Sequence, residues 1–274
     1  SNGDGLTGWL QTGNNWYWVD PANEGAMSRG IVSVGSSRYY LSDSGAMAVG
    51  WAFDGTDWYY ADGSGALASG WRSVNGAWYW LDIANDNRMV TGFFSIGSNR
   101  YHFSSTGALS LGWFMSDGDW YYAEPSNASG IVKTGWLKDG SQYYYLDPAV
   151  DGKMLLGHFS VNGKSYYAKG SGAVACREWV DVQDSVQDGP SKAFAGSDCS
   201  LCGTLRNGKL FTSNGDGELV EARGFVTLGG CIFYADPTNG SLSVGWQNVN
   251  GKWYFFDETA GYARSGWLSK DSSW

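Results

Sequence analysis

A Gly-Trp dipeptide recurs along the chain, and a second aromatic follows each Trp at one fixed distance. Trp9 and Trp16 are seven residues apart, as are Trp51/Trp58, Trp71/Trp78, Trp113/Trp120, Trp136/Tyr143, Trp246/Trp253 and Trp267/Trp274. The clearest copies begin at Gly8, Gly50, Gly70, Gly112, Gly135, Gly245 and Gly266, with related ones at Gly30, Gly92, Gly157 and Gly224. Starts lie 20 to 23 residues apart wherever they are clear. A unit this short cannot bury its own apolar face, so neighbouring units must cover one another. The weaker copies keep the interval with Ile31/Arg38, Phe93/Arg100 and His158/Ser165.

Local chemistry makes each unit a β-hairpin. Residues 70–80 place two β-prone runs on either side of Asn75-Gly76, a dipeptide that tolerates the positive φ of tight hairpin turns. Asn162-Gly163, Asn207-Gly208, Asn250-Gly251, Asp54-Gly55 and Asp139-Gly140 occupy equivalent places. A second Gly-rich turn, such as Asp62-Gly63-Ser64-Gly65, leads into the next unit. The 41 Gly residues fit this many turns, and the 16 Trp and 17 Tyr supply what packs between them.

A longer period lies over the short one. Residues 19–27, 81–89 and 146–154 share a Val/Leu-Asp start and a Met end, in units whose first residues are 62 and 65 apart. The units that lack the first Trp, at Gly30, Gly92 and Gly157, are also 62 and 65 apart. Every third unit therefore resembles itself, and the expected fold is an all-β solenoid of about thirteen hairpins, three per superhelical turn. Degenerate units starting at Ala175-Cys176 and Gly203-Thr204 bring Gly224 into phase. Three regions follow: repeats over 1–175, a Cys-containing insertion over 176–202 within a degenerate unit, and repeats over 203–274 with the last hairpin truncated. A short helix around Glu178 to Val186 is expected inside the insertion.

The net charge of −9 and a pI near 4.6 argue against nucleic acid, whose phosphates need a basic face. No stretch approaches the apolar length of a membrane span. Ser1-Asn2 reads as an expression scar, so the chain is expected to lack a secretory leader of its own and to be a piece of a larger secreted protein. The four cysteines, Cys176, Cys199, Cys202 and Cys231, cluster in one segment. They are expected to form two structural disulfides in an oxidising compartment, with three pairings open. Cys199-Ser-Leu-Cys202 lacks the second close pair of a zinc site and the βαβ context of a redox motif. His102 and His158 sit at positions otherwise held by aromatics. Asn214–Glu218 lacks the ligand pattern of a calcium loop. No nucleophile, base, metal cluster or cofactor motif assembles on the repeat, so an enzyme is not expected.

The segment Gly50-Trp51-Ala-Phe-Asp-Gly-Thr-Asp-Trp58-Tyr59-Tyr60-Ala-Asp-Gly-Ser-Gly65-Ala-Leu67-Ala-Ser-Gly70-Trp71 resembles the cell-wall-binding repeat family, which includes choline-binding modules and related glucan-binding repeats. The resemblance covers nearly the whole chain outside 176–202. It implies a non-catalytic extracellular module, joined to another domain, that attaches a bacterial protein to a cell-envelope polymer. Choline of teichoic acid is the implied ligand, held between consecutive hairpins by attraction of its cation to aromatic faces. Carried onto two adjacent intact units, that chemistry selects three groups. The first is Trp51, Trp58 and Tyr59 with Trp71 and Trp78. The second is Trp113, Trp120 and Tyr121 with Trp136 and Tyr144. The third is Trp246, Trp253 and Tyr254 with Trp267. Ile31, Arg38, Arg100, His158 and Ser165 stand where a cage wants aromatics. The alternative reading makes the same aromatics stacking platforms for a glucan or host glycan, with Asn14, Asn15, Asn75, Asp57 and Asp119 as polar neighbours. A second alternative makes them the inter-unit core of a purely structural scaffold.

Overall fold

The computed structural model describes residues 6–182, 191–214 and 218–266, and among them every extended element is a β-strand and no α-helix occurs. The chain divides into two compact units, residues 1–133 and 134–274.

The first unit is a succession of antiparallel hairpins: Gly8–Thr12 with Asn15–Asp20, Gly30–Val34 with Ser37–Leu41, Gly50–Phe53 with Trp58–Ala61, Gly70–Val74 with Ala77–Asp82, Gly92–Ile96 with Asn99–Phe103, and Gly112–Ser116 with Asp119–Ala123. The register is constant. The opening Gly of each hairpin faces the last apolar residue of its second strand, and Leu41, Ala61, Leu81, Phe103 and Ala123 at that place are all at most 1% exposed. With no side chain on the Gly, the opposite residue turns fully inward. The residue after the Gly, usually Trp, then faces the aromatic just before that apolar residue. Trp9–Trp18, Trp51–Tyr60, Trp71–Trp80 and Trp113–Tyr122 pack edge-on with centroids 5.1–5.4 Å apart, the geometry ring quadrupoles favour.

The hairpin turns follow the sequence expectation at Asn75-Gly76, Asn162-Gly163, Asn207-Gly208 and Asn250-Gly251, where both residues of each pair have positive φ. The Asp-Gly pairs behave differently. Asp54 keeps ordinary backbone geometry and its Oδ1 accepts from the Thr56 and Asp57 amides, which opens the loop to four residues. Asp139 ends a strand, and Gly140 takes the first turn position.

Neighbouring hairpins are joined through the segment that follows each one. The Met47 amide donates to the Trp16 carbonyl, Leu67 to Arg38, Leu109 to Trp78 and Val132 to Arg100, each reaching the preceding hairpin at 2.7–2.8 Å. The same segments interlock through side chains. A Cβ added at Gly45, Gly65, Gly107 or Gly130, all at φ +66° to +83°, would fall inside Met27, Met47, Met89 or Leu109. At the equivalent place after the fourth hairpin Asn87 adopts φ 69° and its side-chain amide donates to the Ala68 carbonyl. The longer sequence period is visible too. Asp20, Asp82 and Asp147 each cap a short 3-10 turn by accepting from the amide two residues on, and each turn leads into a third short strand ending at Met27, Met89 or Met154.

The second unit opens with hairpins Gly135–Asp139/Gln142–Asp147 and Gly157–Val161/Lys164–Ala168, and closes with Gly224–Leu228/Cys231–Ala235 and Gly245–Val249/Lys252–Phe256. Between them lies one five-stranded sheet in the order Glu178–Val182, Ser191–Ala195, Leu201–Arg206, Lys209–Ser213, Leu219–Glu221. The helix expected from Glu178 is thus a strand over its described part: Glu178–Val182 pairs antiparallel with Ser191–Ala195, and Trp179 packs on Phe194 and Phe233. The rest of that expected helix, 183–186, lies outside the described residues.

One disulfide forms, Cys176–Cys199. Cys202 and Cys231, expected to be bridged, are thiols in the apolar cluster around Phe194 and Phe233. Burial pushes both up, Cys202 to about 11. Cys202 stands on a strand opposite Phe194 and Cys231 begins a strand opposite Leu228, so each is held by its own ladder.

Gly107→Ala combines a strained φ with collision against Met89, and should cost about 2–4 kcal/mol in denaturant unfolding, whereas Gly97→Ala, at φ +60° in open space, should cost only about 1 kcal/mol. His102 is buried, stacked on Phe114 at 4.4 Å and 2.8 Å from Ser110 Oγ through Nδ1, and burial lowers its pKa. Its folded value lies below the unfolded 6.5, so the unfolded chain takes the proton first and stability falls as pH drops through about 6.5. Unfolding midpoints at pH 7.5 and 5.5 should differ for the wild type, and less for His102→Gln.

Candidate functional site

Three aromatic positions converge at four places where a hairpin with both repeat aromatics precedes another hairpin of the same unit. The first is the Trp after the opening Gly. The second lies seven residues later. The third is a Tyr from the next hairpin, eight residues after the position that follows its own opening Gly. In the first unit these groups are Trp9/Trp16/Tyr39, Trp51/Trp58/Tyr79 and Trp71/Trp78/Tyr101, and in the second Trp136/Tyr143/Tyr166. The Tyr meets the first Trp edge-on in every case, at 4.7 Å for Trp9–Tyr39 and Trp51–Tyr79, 5.2 Å for Trp71–Tyr101 and 4.9 Å for Trp136–Tyr166.

Each group lines an open cavity of about 290 to 400 Å³. The fourth wall varies. Met47 and Ser64 supply it at Trp9, and Met89, Ser105 and Thr106 at Trp51. Asn127, Ala128 and Ser129 supply it at Trp71, and Ser197, Asp198 and Cys199 at Trp136. None of these walls carries a Lys or Arg. Trp16, Trp58, Trp71, Trp78 and Trp136 remain 36–44% exposed, although free burial of such rings would be favourable.

Where the first Trp is missing the space is filled from within. Ile31 packs with Tyr40 against Tyr59, Ala61 and Leu67, and Arg38 turns away to pair with Asp86 at 2.6 Å. At the next such hairpin the Arg100 guanidinium lies over the Phe93 ring, 5.3 Å from its centroid, while Phe93 meets Tyr121 at 4.9 Å. The protein's own cation sits there against an aromatic face. His158 packs edge-on against Tyr167 at 4.8 Å.

The expected site residues are distributed as follows. Trp51 and Trp58 share a cavity, and Trp71 and Trp78 share the next. Tyr59, grouped with the first pair in the sequence, is 3% exposed and stacks on Tyr40. Its hydroxyl donates to Asp54 Oδ2 at 3.0 Å, and burial together with that bond raises its pKa while Asp54 is lowered. Tyr59 is therefore a core residue, and Tyr79 supplies the third face in its place. Trp113, Trp120 and Tyr121 lie in the first unit, Trp120 exposed and Tyr121 buried, while Trp136 and Tyr144 lie in the second. Trp246 packs on Phe255, Trp253 is 66% exposed and Tyr254 meets Phe225 at 5.1 Å. Trp267 lies outside the described residues.

Sequence reasoning missed Trp9, Trp16, Tyr39, Tyr79, Tyr101, Tyr143 and Tyr166. It required two intact consecutive units, yet hairpins that have lost their Trp still supply Tyr39, Tyr101 and Tyr166. The eight-residue interval to that Tyr, present in nearly every copy, was the available signal. Among the described residues no cluster of His, Cys, Asp or Glu is arranged to hold a metal ion, and no helix is long and apolar enough to cross a membrane.

Stacked hairpins with open three-aromatic cavities at their seams define the class as a repeat-built binding fold. Seven segments, 7–21, 49–67, 69–82, 91–109, 112–126, 134–149 and 244–259, match the putative cell wall binding repeat. CbpF, the choline binding protein F of Streptococcus pneumoniae, seen in complex with ipratropium, is 30% identical over 68% of this chain and 62% of its own, with a TM-score of 0.55. CbpJ from the same organism shares the fold at 22% identity, covering 93% of both chains with a TM-score of 0.52. The modular autolysin LytC, solved with a synthetic peptidoglycan ligand, shares it at 19% identity and a TM-score of 0.52, over 94% of this chain and 53% of that one. No curated protein matches the chain by sequence comparison.

Tyr79 tests the geometry directly. Tyr79→Leu should open the Trp51 cavity and change the near-ultraviolet circular dichroism of Trp51, while Tyr17→Leu, a residue that lines none of the four cavities, should leave that signal unchanged.

Proposed function

We propose that this chain is a non-catalytic, extracellular attachment module that binds choline on a bacterial cell-envelope polymer such as teichoic acid. The observation that carries the reading is the set of three-aromatic cavities with no Lys or Arg in their walls. A quaternary ammonium needs little more. It has no hydrogen-bond donor, it is attracted to ring faces, and it fills a cavity of this size by its methyl groups. Arg100 over Phe93 shows the same attraction satisfied internally. Ipratropium, found with CbpF, is itself a quaternary ammonium compound. The ligand residues are Trp9, Trp16 and Tyr39; Trp51, Trp58 and Tyr79; Trp71, Trp78 and Tyr101; Trp136, Tyr143 and Tyr166. Trp113 and Trp120, and Trp246 and Trp253, repeat the first two positions of the pattern. In this reading about thirteen hairpins form a solenoid with three per turn, 176–202 is accommodated within a degenerate repeat, and the module is joined to another domain in the full-length protein.

A glucan- or glycan-binding module is the second reading. It is favoured by the polar fourth walls, Asn127 and Ser129 at Trp71 and Ser105 and Thr106 at Trp51, which offer donors and acceptors that a quaternary ammonium does not use.

Titration of the intrinsic Trp fluorescence separates the two. Choline should produce a saturable change, lost in part in Trp51→Ala and Trp71→Ala, and soluble glucans should produce none. A response to glucans alone would overturn the choline reading. A response to neither would point to a structural scaffold.

A further inference from the structure

The four cavities share their three rings and differ in one wall, and only one of those walls carries a formal charge. At Trp136 the wall is Ser197, Asp198 and Cys199. Asp198 is held in place by more than its own turn. The Cys199 disulfide to Cys176 ties the loop to the segment after the preceding hairpin, and Cys199 itself packs in a cluster with Tyr166. The backbone adds the Gly196 amide to the Ser200 carbonyl at 2.9 Å and the Ser197 amide to the Gly229 carbonyl at 2.7 Å. Within the loop Asp198 Oδ1 accepts from the Ser200 amide at 3.1 Å and its hydroxyl at 2.7 Å, and Oδ2 accepts from Lys164 Nζ at 2.9 Å. The Ser200 hydroxyl first, and Lys164 next, hold the carboxyl down at about 2. It is a fixed negative charge throughout the physiological range.

We propose that the disulfide-held loop 196–200 is the specificity wall of the Trp136 cavity, and that Asp198 makes this cavity select a cation over a neutral ligand of the same shape. The proposal rests on the reading of these cavities as ammonium sites. Aromatic faces alone favour a cation modestly, because much of their affinity is contact area that a neutral group of equal size also gains. A carboxylate on the wall acts on charge only. Two other charges neighbour the site. Lys164 pairs with Asp198, and Lys138 lies over the Tyr143 ring at 5.5 Å. Neither lines the cavity, and both oppose a bound cation, so Asp198 is the group in contact range that favours one.

The test compares choline with 3,3-dimethylbutan-1-ol, its neutral isostere, reading the indole N–H resonances of Trp136 and Trp51 separately by 15N NMR on the whole chain. Asp198→Asn keeps the acceptor oxygen for Ser200 and removes the charge. It should weaken choline at Trp136 about five- to tenfold, leave the alcohol there unchanged, and leave both ligands at Trp51 unchanged. Lys164→Met removes the opposing cation and should strengthen choline at Trp136 severalfold. A wall with a merely structural role predicts the reverse pattern: both variants weaken choline, and the alcohol weakens with it. Either that pattern, or an Asp198→Asn variant with unaltered choline binding, overturns the proposal. If choline moves Trp51 but not Trp136 in the wild type, this inference fails and the choline reading stands. If it moves neither, both fail.

Discussion

The fold depends on glycines that sit directly on the sulfur or branch of the previous linker. Gly45, Gly65, Gly107 and Gly172 occupy left-handed backbone against Met27, Met47, Met89 and Met154, and no side chain fits between them. That contact sets how far one hairpin stands from the next. The spacing in turn sets the gap between the first Trp of one hairpin and the Tyr of its successor, held near 5 Å in every cavity. Hairpins alone are marginal in water, and here each is stable only as part of a row whose pitch is fixed by a missing Cβ.

Much of this was legible in the sequence because it is periodic. The seven-residue aromatic interval, the Asn-Gly turns and the 62- and 65-residue recurrence each correspond to something built: a ladder, a pair of positive φ values, an Asp-capped 3-10 turn with its third strand. What was not legible depends on which face a ring takes. Tyr59 and Tyr79 occupy the same repeat position, yet one is buried on Tyr40 above Ile31 and the other completes a cavity beside Trp51. The difference lies in the preceding hairpin, at Ile31 against Trp51, and no property of the tyrosines themselves reports it. The cysteines were misread for a related reason. Spacing alone could not show that Cys202 and Cys231 face the Phe194 cluster from two separate ladders, leaving Cys176–Cys199 as the bridge. The strand at Glu178 was read as helix because its few residues carry no repeat phase.

Degeneration of the repeat has chemical consequences. Loss of the first Trp closes a cavity in two ways: by apolar filling, as at Ile31, or by an internal guanidinium, as at Phe93. The hairpin concerned still donates its Tyr backwards, so a unit that has lost its own pocket continues to serve its neighbour's. Fourth walls come from a segment further along the chain and are therefore free to vary without disturbing the rings. That separation leaves a constant aromatic set and an adjustable wall, of Met and Ser in one place and of a disulfide-held acidic loop in another.

The hydrogen bonds that run from each linker to the preceding hairpin make the first unit a one-dimensional lattice with three open cavities fixed to it. A small monovalent ligand gains nothing from that repetition. A polymer bearing the ligand on each of its units gains a high effective concentration at the second and third cavities once the first is occupied. On the proposed reading, weak individual pockets suffice for durable adhesion, and soluble monomer at high enough concentration would release the chain by competing at each pocket separately.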